Sequence, residues 1–562
     1  MNSMEPSALG VKSIIVGERS AARIAVTEPL VLVLLLVAAA VVSLVGLDQS
    51  GTLWPDDARY LNGAAMIHDW LLSGQWTNPL DFAMRHYAQY PGFSIPYHPP
   101  AYPGLLGVWF LVTGISYESA RVFISCCLML GAFATYRIVR HIGGGWVPAL
   151  MASLFFILLP ELAKWSRSTM SDIPALTFIL WGTWFFLKWC QTPKVWLCVA
   201  AFAFAELAFL SRVTSIGVVP MWFLYLLTTK GWRSFKSWSL VVMTAMFLLI
   251  NVAWVQFVAG YASHELNTTG EDHKAVDWGT WDHLSFYLTA MPELIGRVTA
   301  AVAVVALVIG GYARSSRPLI IFGGLWFLSY FGFQLFILAN EARYFVFALP
   351  GVCAILVAPL LAFSKNRSAT VAWLCVMVLA MAFNVGELRD LPRGVVGYQA
   401  VADRLATETE PGNLLLCTRV DQDFIFHYHA AASEVQRSLL RADRTLSVRV
   451  SEYAKQDPTI VARDAEDVFR IIEHGRVRYL LTSSAPDSMK DDRHSEKVLA
   501  HHVASHHPDR FALLGAYPLL IDLGGAGRTY QVHLWRYKGE LKAGESEIPV
   551  IIPTAKIVIP IK

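Results

Sequence analysis

The chain has 562 residues, of which 55% are apolar and 16% charged, with a formal net charge of +3. Soluble domains carry about 25% charge, which excludes an ordinary cytosolic enzyme; a balance this mild, with no basic stripe among aromatics, argues against a nucleic-acid partner. Long stretches between Pro29 and Gly386 are almost free of charge, while the residues after Glu387 have an ordinary soluble composition, so two parts with different solvents are implied.

In chain order, windows of the roughly 20 apolar residues that a bilayer-crossing helix requires fall at 29–47, 119–139, 146–163, 173–190, 195–211, 213–229, 238–260, 294–313, 318–339, 345–363 and 369–386. These are eleven predicted spans. The first resembles a secretory leader in length, but residues 41–48 offer no small-x-small cleavage site and more spans follow, so it reads as a retained helix. A twelfth apolar stretch, 101–113, covers only about 20 Å of a hydrocarbon core about 30 Å thick. It also carries Pro103, Gly104 and Gly107 behind Pro99 and Pro100, and it reads as an interfacial or half-buried helix.

Eleven spans segregate the charges. Arg137, Arg140, Lys188, Lys194, Lys230 and Arg233 share one side with the amino terminus, whereas Asp56, Asp57, Glu161, Asp172, Glu341 and the tail share the other. A twelfth span would scramble this order. By the positive-inside rule the amino terminus is cytoplasmic and the tail faces outward. The outward face then holds a long loop (48–118), short turns near 164–172, 212 and 339–344, a loop at 261–293, and the tail.

Four clusters on that face could carry chemistry. Asp56-Asp57-Ala58-Arg59-Tyr60 follows the first span; adjacent acids beside an arginine suit deprotonation of an acceptor hydroxyl or retention of a cation, and the plainer reading is an acid-capped helix start. Tyr97-His98-Pro99-Pro100-Ala101-Tyr102-Pro103 holds His98 and the two tyrosines on a rigid extended backbone where His98 could donate to a phosphate, or is merely a helix stop with aromatic belt residues. Lys164, Arg167 and Asp172 lie in one polar turn, where Lys164 and Arg167 could serve an anion while Asp172 ahead of Pro174 reads equally as a helix cap. Asn340-Glu341-Ala342-Arg343-Tyr344 offers a guanidinium fork for phosphate oxygens, or an interfacial ion pair. Arg212 carries the same ambiguity.

Order and sidedness of these motifs resemble the GT-C superfamily of glycosyltransferases, in the family of protein O-mannosyltransferases and the lipid A aminoarabinose transferase. Asp56-Asp57-Ala58-Arg59-Tyr60 is similar to that family's Asp-Glu-x-x-Tyr pattern, and His98-Pro99-Pro100 to its His-Pro-Pro loop; Asp172 and Arg343-Tyr344 also fit. The resemblance covers roughly residues 25–390, and Asp57 replaces the family's Glu. It implies a polytopic α-helical membrane protein of about eleven spans and an inverting transfer of sugar from a polyprenyl-phosphate donor to a glycan, lipid or protein acceptor outside the cytoplasmic membrane. Asp56, with Asp57 and Asp172 as further catalytic acids, would take the acceptor proton. Arg343, aided by Arg59, His98, Lys164, Arg167, Arg212 and Tyr344, would hold the donor phosphate. A divalent cation on Asp57 or Asp172 could share that task, although the sequence shows no clear ligand set.

From about residue 391 the chain reads as a soluble α/β domain, with strand-like runs at 413–418, 477–482, 511–514 and 530–535 and a helical pattern at 465–474. It has no Gly-rich phosphate loop. His494, His501, His502, His506 and His507 lack a convincing metal spacing and read as a solvated face. The seven cysteines show neither a metal pattern nor a disulfide framework, and the sequon at Asn267 reads as chance. The expected division is therefore 1–28, 29–390 and 391–562. The competing class is a transporter or flippase of lipid-linked sugars, which would place charges at the midplane and show repeats; Glu206 is the sole mid-span acid of the prediction. A membrane-tethered binding protein would not require eleven spans.

Overall fold

A computed structural model describes residues 18–93, 98–272, 281–335, 341–418, 420–431, 433–448, 459–483, 495–523, 527–541, 550–552 and 557–559. The helical part comprises α1 (Glu18–Leu44), α2 (Pro55–Ser73), α3 (Pro79–Gln89), α4 (Ala101–Thr113), α5 (Tyr117–His141), α6 (Trp146–Leu158), α7 (Pro160–Ser166), α8 (Asp172–Gln191), α9 (Val195–Phe209), α10 (Val219–Lys230), α11 (Trp238–Asp272), α12 (Trp281–Ile295), α13 (Arg297–Tyr312), α14 (Arg317–Gln334), α15 (Leu349–Ala362) and α16 (Arg367–Glu387). Every predicted span coincides with helix over most of its described residues.

Among the described residues, seven helical stretches are long and apolar enough to cross a bilayer, or nine if two bent pairs each form one span. The chain is thus a multi-pass membrane protein. Of the eleven windows, 195–211 and 318–339 fall outside this set: α9 has 15 residues, and α14 ends at Gln334 after 18 residues that include Arg317, Gln334 and several glycines and polar aromatics. One bent pair, α6 and α7, breaks by 61° at Pro160; the other, α12 and α13, turns by 113° at Gly296. Gly296 sits at φ +87°, and a Cβ there would run into Asn384, so only glycine makes this corner. The residues 101–113 form a helix of 13 residues, α4.

Leu249 on α11 is 71% exposed, which suits a lipid solvent that is as apolar as the side chain. Because burial of apolar surface gives little driving force between helices in lipid, contact depends on close approach. Gly323 and Gly351 supply it: a Cβ on either would lie 2.6–2.7 Å from the other's carbonyl oxygen, so α14 and α15 touch backbone to backbone.

The tail adds strands β1 (Gly394–Val396), β2 (Asn413–Cys417), β3 (Leu439–Arg441), β4 (Ser447–Val448), β5 (Thr459–Ile460), β6 (Val477–Ser483), β7 (Phe511–Asp522), β8 (Arg528–Tyr537), β9 (Val550–Ile552) and β10 (Ile557–Ile559). Its helices are α17 (Tyr398–Ala406), α18 (Asp421–Ala430), α19 (Ala442–Thr445), α20 (Ala465–His474) and α21 (Ser495–His506). A six-stranded mixed sheet runs β1-β7-β8-β6-β2-β3, with β2 parallel to β3 and β6 and the other pairs antiparallel. The four expected strands and the helix at 465–474 are present. β7 extends eight residues beyond residue 514, because a bulge between Leu513 and Gly515 lets it continue past glycine and Pro518; such residues ordinarily punctuate strands.

The tail is seated on the first loop rather than tethered below it. Thr52 bridges Val395 at the sheet edge, and Val395 N–H donates to the Thr52 carbonyl at 2.9 Å. Asn62 donates to the Gln422 carbonyl at 2.9 Å, joining α2 to α18. Tyr87 and Phe93 from the loop bury themselves in the tail's apolar core.

Candidate active site

The site begins with the first turn of α2. Trp54 is its N-cap, Pro55 presets the helical φ, and Asp57 occupies the third position. Asp57 Oδ2 accepts from the backbone N–H of Leu53 at 2.7 Å and of Trp54 at 3.0 Å, and Oδ1 accepts from the Ser168 hydroxyl at 2.6 Å. Burial pushes its carboxyl up to about 6 against those three hydrogen bonds, and the charge of Asp56 adds to the rise. Both oxygens are thus engaged in fixing where α2 starts and how it docks on the turn at 168.

Asp56, one position earlier, faces the other way. Its Oδ1 lies 3.1 Å from Arg59 Nη1 and 3.6 Å from His98 Nε2. Burial by itself would raise this carboxyl, but the His98 contact and the positive charges of His98, Arg59 and Arg343 outweigh it and hold it well below the ordinary carboxylate range. The His98 ring lies 4.7 Å from Tyr60, which meets Tyr102 edge-on at 5.3 Å. Tyr60 accepts from the Ser171 hydroxyl at 3.0 Å and, being buried, its phenol is pushed up to about 12. The prolines after His98 lead into α4, which is anchored by Tyr102 donating to the Thr169 carbonyl at 2.5 Å. Residue 97 lies outside the described residues.

Two guanidinium groups from later turns complete the cluster. Arg212 Nε stands 3.4 Å from Asp172 Oδ1, the carboxylate being fully buried. The same guanidinium covers the Tyr344 ring at 5.3 Å. Arg343 lies between the rings of Trp54 and Tyr344, at 4.8 and 5.1 Å, and pairs with Glu341 at 2.5 Å. Its Nη1 is buried with no hydrogen-bond partner among the described residues. Such a donor calls for an acceptor. Residue 340 lies outside the described residues.

Residues from five remote segments therefore meet: Asp56, Arg59 and Tyr60; His98; Asp172; Arg212; and Arg343 with Tyr344. Two expected members stand apart. Arg167 donates to the backbone carbonyls of Val42 at 2.9 Å and Leu388 at 3.3 Å, tying α1 to the end of α16. Lys164 lies 3.9 Å from Glu161 and over Trp165 at 4.9 Å. Sequence reasoning missed Trp54, whose aromatic character next to the charged motif was the available signal. It also missed Arg121, buried and bonded to Ser50, Tyr117 and the Ser43 carbonyl. Among the described residues, neither Asp57 nor Asp172 belongs to a group of three or more metal-ligating side chains.

Residues 97–256 match the sequence profile of the family described as dolichyl-phosphate-mannose-protein mannosyltransferase. That stretch contains His98, Lys164, Arg167, Asp172 and Arg212, and stops short of Asp56 and Arg343. No curated protein matches significantly. Among solved structures, ArnT from Cupriavidus metallidurans bound to undecaprenyl phosphate is similar over 89% of this chain and 97% of its own, at 16% identity and a TM-score of 0.54. Apo ArnT is similar over 92% and 98%, at 17% identity and 0.55. The chain shares the fold of these ArnT structures, with a multi-pass helical body followed by a sheet-containing domain.

Proposed function

We propose that this protein is an inverting glycosyltransferase that moves a sugar from a polyprenyl-phosphate donor to a glycan, lipid or protein acceptor at the outer face of the cytoplasmic membrane. The observation that carries the reading is the buried Asp56 carboxylate, ringed by His98, Arg59 and Arg343, beside an aromatic-sandwiched guanidinium with an unpartnered N–H among the described residues. The fold shared with ArnT, and the undecaprenyl phosphate bound in one ArnT structure, support it. Residues 1–28 would lie in the cytoplasm, 29–390 would form the catalytic membrane part, and 391–562 would face outward.

In this mechanism Asp56 accepts the proton of an acceptor hydroxyl as that oxygen attacks the anomeric carbon from the face opposite the phosphate, so configuration inverts. A carboxylate held so far below its ordinary value is a weak base in the resting protein. The donor resolves this. Its phosphate draws Arg343 and His98 away from Asp56 and brings negative charge beside it, and both changes raise the proton affinity of the carboxylate. The departing polyprenyl phosphate carries roughly two negative charges and is stabilised by Arg343 and Arg212, with Tyr344 between them. Asp172 acts by holding Arg212. Asp57 fixes the start of α2, and Arg167 joins α1 to the end of α16.

The test is to supply the purified protein with a panel of polyprenyl-phosphate sugars and candidate acceptors and to identify products by mass spectrometry. Sugar transfer with inverted anomeric configuration supports the reading. Translocation of intact lipid-linked sugar across vesicles without transfer would replace it with the flippase alternative.

A further inference from the structure

Away from the candidate active site, the first loop and the tail bring three metal-ligating side chains together. Asp69 lies in the last turns of α2, about 20 Å from Asp56 along that helix at 1.5 Å per residue. His86 comes from α3 and His429 from α18 of the tail. One ligand atom from each lies within 4.8 Å of the others. Asp69 Oδ2 is 2.8 Å from His429 Nε2 and 3.3 Å from His86 Nε2, while Oδ1 is 2.9 Å from His68 Nδ1.

Several features separate this cluster from a simple ion pair. Both imidazoles are largely buried and crowd one oxygen, with ring centroids 5.3 Å apart and edge to face. Their Nδ1 atoms have no hydrogen-bond partner among the described residues. Among the described residues, no lysine or arginine is paired with the Asp69 carboxylate. The rings are held from behind: Tyr90 packs on His429 at 4.5 Å and on His86 at 5.2 Å, and Phe93 on His86 at 5.8 Å. The cluster also opens on a cavity of about 610 Å³ shared by α2, α3 and α18, which leaves room for a further ligand.

We infer that Asp69, His86 and His429 form a binding site for a divalent transition metal of the zinc class, which clamps the tail domain to the first loop. Two imidazoles and a carboxylate suit zinc, which takes such ligands at about 2.0–2.2 Å in a tetrahedral set and keeps its fourth position for water when only three side chains bind. A carboxylate oxygen and two ring nitrogens already separated by hydrogen-bond distances need only small rotations to reach that spacing. His68, on the second Asp69 oxygen, orients the carboxylate. The inference does not depend on the proposed transferase chemistry.

The experiment uses the full-length protein in detergent, stripped with chelator, dialysed, and titrated with Zn²⁺ alone, with bound metal counted by mass spectrometry. The wild type should take up one zinc per chain and show slower hydrogen exchange in α18 on binding. His429→Gln and His86→Gln should each lose at least the roughly 10–100-fold in affinity that even supporting residues of metal sites contribute, while remaining monodisperse. His502→Gln is the control, since His502 and His506 stack at 3.9 Å on the exposed face of α21 and are the competing imidazole pair; it should leave zinc uptake unchanged. A wild type that takes up no zinc, or uptake abolished by His502→Gln and untouched by His429→Gln, would overturn the assignment and leave the cluster as a hydrogen-bonded Asp–His contact.

Discussion

Asp56→Asn keeps the shape of the side chain and removes both its charge and its ability to accept a proton. If Asp56 is the base, the rate of transfer should fall by the 10²–10⁴-fold typical of general base catalysis, or about 2.7–5.5 kcal/mol of barrier at about 1.36 kcal/mol per decade. Donor binding should move the opposite way. In the resting protein Arg59 lies 3.1 Å from Asp56, and His98 and Arg343 both bear on its charge; the asparagine releases these cations, so the affinity for a polyprenyl-phosphate donor should be unchanged or tighter. The assay is single-turnover transfer from a radiolabelled donor, with donor affinity measured separately by equilibrium binding. Because the carboxyl is held well below its ordinary value, it stays ionised as the pH falls through about 4, the ordinary aspartate value; kcat/KM for the free enzyme should therefore show no acid limb there from this group. A rate within about tenfold of wild type, or a parallel loss of donor affinity, would refute the assignment of Asp56 as base.

Four further outcomes are expected. Arg343→Ala should raise the transfer barrier by about 2.7–4 kcal/mol, by analogy with removal of an oxyanion donor. Arg343→Lys should rescue little, because an ammonium cannot fill the planar slot between Trp54 and Tyr344; recovery with lysine would mean that only charge matters. Asp57→Ala should lower thermal stability by about 1–3 kcal/mol by stranding the N–H groups of Leu53 and Trp54. Loss of transfer at undiminished stability would return Asp57 to the chemistry. In the tail, burial pushes the Asp423 carboxyl up to about 8 despite its hydrogen bond from Thr52, with Asp57 adding to the rise. A folded-state value above the unfolded 3.8 means that the stabilisation is complete below the unfolded value and is lost as pH rises towards the folded one. Melting temperatures across that window should decline less in Asp423→Asn than in wild type, and equal slopes would contradict the burial argument.

The helical membrane body was legible in the sequence because a bilayer demands long apolar runs, and runs are visible one residue at a time. The segregation of basic from acidic loops was equally legible: Arg137, Lys188 and Lys230 cannot share a loop face with Asp56 and Asp172 unless the span count allows it. The start of α2 could be read from Pro55 and its acids, and the α/β character of the tail from alternating apolar runs. What each charge does was not local. Arg167 and Arg212 carry the same fork in similar turns, yet one meets the carbonyls of Val42 and Leu388 while the other meets Asp172. Asp56 and Asp57 are neighbours in sequence, but successive residues on a helix point about 100° apart, so one faces His98 and the other caps its own helix. The meeting of Asp69 and His86 with His429 had no signature in spacing, since separations of 17 and 360 residues carry no common period. Only the seating of the tail on the first loop brings those atoms within reach of one ion.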